Sequence, residues 1–131
     1  RLKIESAISN AKAVLTLQDE VGGLSKHLWS FVGGKPIVNK WTAMKQVPAT
    51  SAESDALSKD LKKRGFRFVG STIIYAHMQA TGMVNDHTVG CFRRADCVKL
   101  ASSKSARRST RDARGMLSGI DTSVPREPDR T

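Results

Sequence analysis

Apolar residues recur at helical spacing from the start of the chain. Ile4, Ile8, Ala11 and Leu15 form a stripe that predicts a helix over residues 1–18, broken by EVGGL at 20–24. LSKHLWSFVGG, residues 24–34, predicts a short helix with Ser25 as its cap, an apolar face of Leu28, Trp29 and Val32, and a stop at Gly33-Gly34. KPIVNKWTAMKQVP, residues 35–48, reads as an irregular or extended connector in which Trp41 is a packing anchor.

Residues 49–65 carry the clearest pattern. Thr50 and Glu53 have capping-box spacing, Glu53 and Asp55 lie in the first turn, and Lys62, Lys63 and Arg64 lie in the last. Both ends therefore complement the helix dipole, and Gly65 stands where a left-handed residue ends a helix. FRFVG (66–70) leads into a second helix over 71–82, where Ile73, Ile74, His77, Met78 and Thr81 fall on neighbouring turns and Gly82 ends the run. No strand pattern of convincing length is present, so the expected architecture is an all-α helical bundle. From residue 95 the chain is rich in Ser, Arg, Thr, Asp and Pro, and 95–131 reads as a basic, disordered tail behind a folded unit of residues 1–94.

Charge sharpens this picture. The 131 residues carry a formal net charge of +10, which predicts attraction to polyanions, nucleic acid first. Residues 1–94 hold 14 basic and 7 acidic residues, so most of the excess belongs to the folded part. No apolar run approaches the roughly 18 residues of a membrane span, and the N-terminus has no signal-peptide pattern. Two cysteines, Cys91 and Cys97, form no disulfide framework and fit a reducing cytosol. Arg1 stands inside an amphipathic pattern with no cap before it, so the chain is expected to begin within a helix as a fragment of something longer.

Two constellations carry candidate chemistry. Lys59, Lys62, Lys63, Arg64 and Arg67 cluster before and within the helix connection, and Val69-Gly70-Ser71-Thr72 opens a helix whose first amides lack intrahelical partners. Such an end holds a phosphate, and nothing beside it favours a particular base edge. Backbone gripping of DNA or RNA and plain helix packing both fit this pattern. Phe66 and Phe68 are expected to face the core, leaving Arg67 outward, with base stacking by these rings as the alternative. The second constellation is His87-x3-Cys91, a zinc-compatible pair that fits equally a cysteine beside a satisfied histidine; Asp86 before it reads as a helix cap. No nucleophile has an adjacent base, so no catalytic residue is assigned.

SDALSKDLKKRGFRFVGSTIIYAHMQATGMVNDHTVGC, residues 54–91, closely resembles the C-terminal part of the DNA-3-methyladenine glycosylase I family, and the resemblance runs upstream through LWSFVGGKPIVN over about residues 1–94. It implies a helix-hairpin-helix glycosylase fold, incomplete here, and excision of 3-methyladenine from double-stranded alkylated DNA by a monomeric enzyme, cytoplasmic or, in a eukaryote, nuclear or organellar. The implied DNA-binding residues are Lys63, Arg64, Gly65, Arg67, Val69, Gly70, Ser71 and Thr72, and Ala76 matches a small pocket residue. His87 and Cys91 match two of four ligands of a structural zinc; the family's other cysteine and histidine, its pocket glutamate and its base-stacking aromatics lie in an N-terminal half that nothing here matches. Asn85 stands where superfamily relatives carry an aspartate, which argues against Asp86 as a catalytic base. The chain alone is expected to be inactive, with apolar faces meant for absent helices exposed. The alternative is a non-catalytic DNA-binding helical hairpin.

Overall fold

The computed structural model describes residues 1–103. Helices dominate: α1 (Leu2–Val21), α2 (Leu24–Ser30), α3 (Ala52–Lys63), α4 (Ser71–Thr81) and α5, helical from 92 through 103. Two-residue strands β1 (Ile37–Val38) and β2 (Val84–Asn85) pair in parallel, Ile37 with Val84 and Val38 with Asn85. This bridge joins the irregular connector to the segment after α4 and leaves the fold all-α.

The core is small and centres on the α3–α4 pair. Leu57, Leu61, Phe66, Ile74, Tyr75, Met78, Met83 and Val84 are buried together with Leu17 of α1. Leu17, Ala13, Val14 and Val21 are the α1 residues that meet this core, whereas Ile4, Ile8 and Leu15 are exposed. The apolar stripe read from the sequence is therefore largely exposed among the described residues.

Local chemistry explains the helix ends. Gly65 and Gly82 both take left-handed φ, 87° and 78°, and each stops its helix as the sequence predicts. The cap of α3 sits one residue later than expected. Ser51 and Ser54, not Thr50 and Glu53, make the reciprocal box: the Ser54 amide donates to Ser51 Oγ and the Ser51 amide to Ser54 Oγ. Ser54 is fully buried and its hydroxyl lies 2.8 Å from Ser71 Oγ of α4, a position too tight for a glutamate. Helix α2 is likewise capped by Gly23 rather than Ser25, with no side-chain cap bond.

The tail boundary needs correction too. Residues 95–103 continue α5 instead of starting a disordered tail. Arg94, Cys97 and Ala101 recur at spacings of three and four and are the half-buried positions of one face, a period that the Ser/Arg-rich composition conceals. Arg94 anchors α5: its guanidinium donates to the Asn39 carbonyl, and its own carbonyl accepts from Asn85 Nδ2. The remainder of the expected tail, 104–131, lies outside the described residues.

Candidate nucleic-acid interface and the cavity beside it

Helix α4 begins without a side-chain cap. Gly70 is its N-cap, and the first helical bond runs from the Ile74 amide to the Gly70 carbonyl, so the amides of Ser71, Thr72 and Ile73 have no intrahelical acceptor. Nothing lies within 4 Å of where a Gly70 side chain would start. Lys62, Lys63 and Arg67 are exposed nearby in sequence and form no ion pair among the described residues.

Other members of the predicted set are engaged within the protein. Arg64 donates to Asp60 at 3.0 Å and to Glu20 at 2.6 Å, and His27 Nε2 lies 2.5 Å from the same Asp60 carboxylate. Burial pushes the Asp60 carboxyl up, but hydrogen bonds from His27 and Arg64 outweigh it and hold the group below its usual value. Arg64 thus ties α3 to α1. Ser71 Oγ donates to Asp55 Oδ1, and the Val69 carbonyl accepts from Ser58 Oγ. Lys63, Arg67 and Thr72 are exposed, and Gly70 and Ser71 are half-buried beside them.

Farther along, α4 forms one wall of a cavity of about 520 Å³. Ala76, Gln79 and Ala80 line it from α4, His87 and Cys91 from the segment after β2, and Cys97 from α5. Ala76 lies about 8 Å along the helix axis from Ser71.

Asp86 is the organising group of this wall, and sequence reading assigned it wrongly. It caps no helix. Asn39 Nδ2 and Trp41 Nε1 donate to its Oδ1 at 2.7 and 2.8 Å; Tyr75 Oη and Gln79 Nε2 donate to its Oδ2 at 2.5 and 2.9 Å. Burial alone would raise its carboxyl, yet the four hydrogen bonds hold it below the usual carboxylate range. Burial and the Asp86 carboxylate push the Tyr75 hydroxyl well above its ordinary value. Asp86 is therefore a saturated, weakly basic anion. Asn85, buried in the bridge, is structural: its Oδ1 accepts from the His87 amide.

His87 and Cys91 lie on a turn, not a helix, and are nevertheless adjacent, with His87 Nδ1 and Cys91 Sγ 3.6 Å apart. Two ligands at zinc distances in a tetrahedron stand roughly 3.5 Å apart. The pair fits that geometry. No third histidine, cysteine or carboxylate joins it among the described residues.

Residues 1–94 match the family model described as methyladenine glycosylase. The chain is 50% identical over 91 residues to DNA-3-methyladenine glycosylase 1 of Escherichia coli K12 and 47% identical over the same length to the DNA-3-methyladenine glycosylase of Haemophilus influenzae; each alignment covers 70% of this chain and 49% of the relative. It superimposes on a crystal structure of 3-methyladenine DNA glycosylase I with a TM-score of 0.66 at 48% identity, covering 69% of this chain and 50% of that one. The Staphylococcus aureus glycosylase, whose structure concerns 3-methyladenine recognition, gives 0.68 at 30% identity, covering 70% and 49%. The chain spans about half the length of the curated relatives it matches.

Proposed function

Because the chain belongs to the methyladenine glycosylase family, we propose that it forms the DNA-holding, C-terminal part of an enzyme that hydrolyses the N-glycosidic bond of 3-methyladenine in alkylated double-stranded DNA. The observation that carries this is the uncapped start of α4 at Gly70 in a segment that also presents the exposed Lys62, Lys63 and Arg67, which form no ion pair among the described residues. In this reading the α3–α4 pair is the helix-hairpin-helix grip. Free amides and cations hold phosphates, which positions the protein without reading sequence. The cavity farther along α4 receives part of the extruded base, and the small side chain of Ala76 leaves room for it. A 3-methylated adenine is cationic, so its glycosidic bond is already weakened and the site needs shape and stacking more than a strong acid. Asp86, saturated by four donors, is not the base that activates water.

Gly70→Glu tests the grip. The site has open space, so the fold should be retained while the carboxylate occupies the phosphate position. Affinity for a duplex oligonucleotide should fall at least about ten-fold, on the scale of one lost charge-assisted contact plus a repulsive charge. A glutamate introduced at Ser118 should change it far less. Equal loss from both substitutions would leave only non-specific charge attraction.

The same reading gives His87 and Cys91 a structural zinc, for which they supply half of the ligands; the other cysteine and histidine belong to the family segment that this chain does not match. Zinc there would clasp the segment after β2 to that other part. Cys91→Ser and His87→Ala should each weaken zinc binding by the 131-residue chain at least about ten-fold in a chelator competition. Equal affinity in all three proteins would reject the assignment.

A further inference from the structure

We propose that Phe68 is a nucleotide-packing residue of the connection between α3 and α4, its ring lying against the sugar and base of a strand whose phosphates the neighbouring cations hold. This rests on the DNA-binding reading above and adds a contact to it. Among the described residues Phe68 alone, apart from glycines, has a positive φ, 56°. A side chain in this region crowds its own backbone, so the conformation lasts only where the surroundings enforce it.

Those surroundings are specific. The Arg67 amide donates to Asn10 Oδ1 at 2.8 Å, and Asn10 Nδ2 donates back to the Arg67 carbonyl at 3.0 Å. On the other side, Ser58 Oγ donates to the Val69 carbonyl at 2.6 Å. Both neighbours of Phe68 are thus pinned by side chains distant in sequence, one from α1 and one from α3.

The result is outward display. Phe66 is buried at 8% exposure, while Phe68 is 52% exposed and has no place in the core. The simple alternation that would bury both rings fails because the left-handed residue reverses the chain's direction between them. About half of the ring faces water, in a backbone conformation that glycine would adopt without strain. Exposed Lys62, Lys63 and Arg67 precede it in the same short segment. An aromatic ring beside exposed cations suits a nucleic-acid strand, whose phosphates take the cations and whose bases and sugars take the ring.

Phe68→Gly separates stability from binding. Glycine adopts this φ without strain, so the melting temperature should stay the same or rise. Affinity for a fluorescein-labelled duplex with a central tetrahydrofuran abasic nucleotide, read by anisotropy, should fall at least about five-fold. The slope of log affinity against log salt should be unchanged, since no cation is removed; Lys63→Glu should lower it. Phe68→Tyr should keep affinity within about two-fold. If wild type binds and Phe68→Gly binds equally well, the stacking role is overturned and the grip survives. If Phe68→Gly lowers the melting temperature, the ring is structural and the inference fails. If wild type shows no salt-dependent binding, the inference falls together with the DNA-binding reading.

Discussion

Asp86→Ala should destabilise the chain by about 3–5 kcal/mol in urea unfolding, because it removes the carboxylate that four donors share and leaves the buried Tyr75 hydroxyl without its acceptor. Tyr75, Trp41, Asn39 and Gln79 would all lose their shared acceptor. Asp86→Asn should cost less, about 1–3 kcal/mol, since one oxygen remains while the amide nitrogen now faces donors. The pH dependence follows from the direction of the shifts. The folded Asp86 carboxyl titrates below its unfolded value, so its contribution is present above about pH 4 and is lost as pH falls through the lower folded value. Tyr75 is shifted upward, so its contribution is present below about pH 10 and is lost as pH rises through the folded value. Asp86→Asn should flatten the acid limb, leaving the portion due to Asp60. An unchanged acid limb would show that the four-donor cluster does not form in solution.

Leu57→Ala should cost about 2–5 kcal/mol, the range for emptying a buried leucine site. Leu57 is 0% exposed and belongs to the core shared by α3 and α4. Folded domains of this size have only about 5–15 kcal/mol to lose, and the exposed apolar face of α1 argues for the lower end. The variant should therefore show a large fall in urea midpoint, or no cooperative transition at all. Ile73→Ala offers the contrast: its side chain on α4 is 58% exposed, and the change should stay within about 0.5 kcal/mol. Similar losses from the two variants would place the α3–α4 contact elsewhere.

Elements with local causes were legible in the sequence. Gly65 and Gly82 stop their helices because a left-handed residue is needed there, and a glycine at the right offset announces it. The α3 cap was legible only to within one residue. Residues 50–54 read Thr-Ser-Ala-Glu-Ser and contain two overlapping candidate boxes. The choice between them is made by burial of Ser54 against α4, a contact 17 residues away. Asp86 shows the same limit more strongly. Its partners lie 7, 11, 45 and 47 residues away, so no local spacing reveals it. The His87–Cys91 pair was legible as spacing, although the helix imagined for it is a turn. Phe68 was misread because alternation assumes negative φ throughout. The helical face of 92–103 was hidden by composition, since serine and arginine suggested solvent where Arg94, Cys97 and Ala101 were marking a period.

The parallel bridge has a consequence for how this unit relates to other proteins. Ile37 and Val84 are paired neighbours, although α3, α4 and the connection between them lie in between along the chain. The chain enters and leaves that segment through a doorway one strand spacing wide, about 4.8 Å. Adjacent ends are the geometric condition for inserting one folded segment into a loop of another host. Residues 38–83 meet that condition at their ends, while Leu17, Asn10 and Glu20 of α1 hold the segment to the rest of the unit.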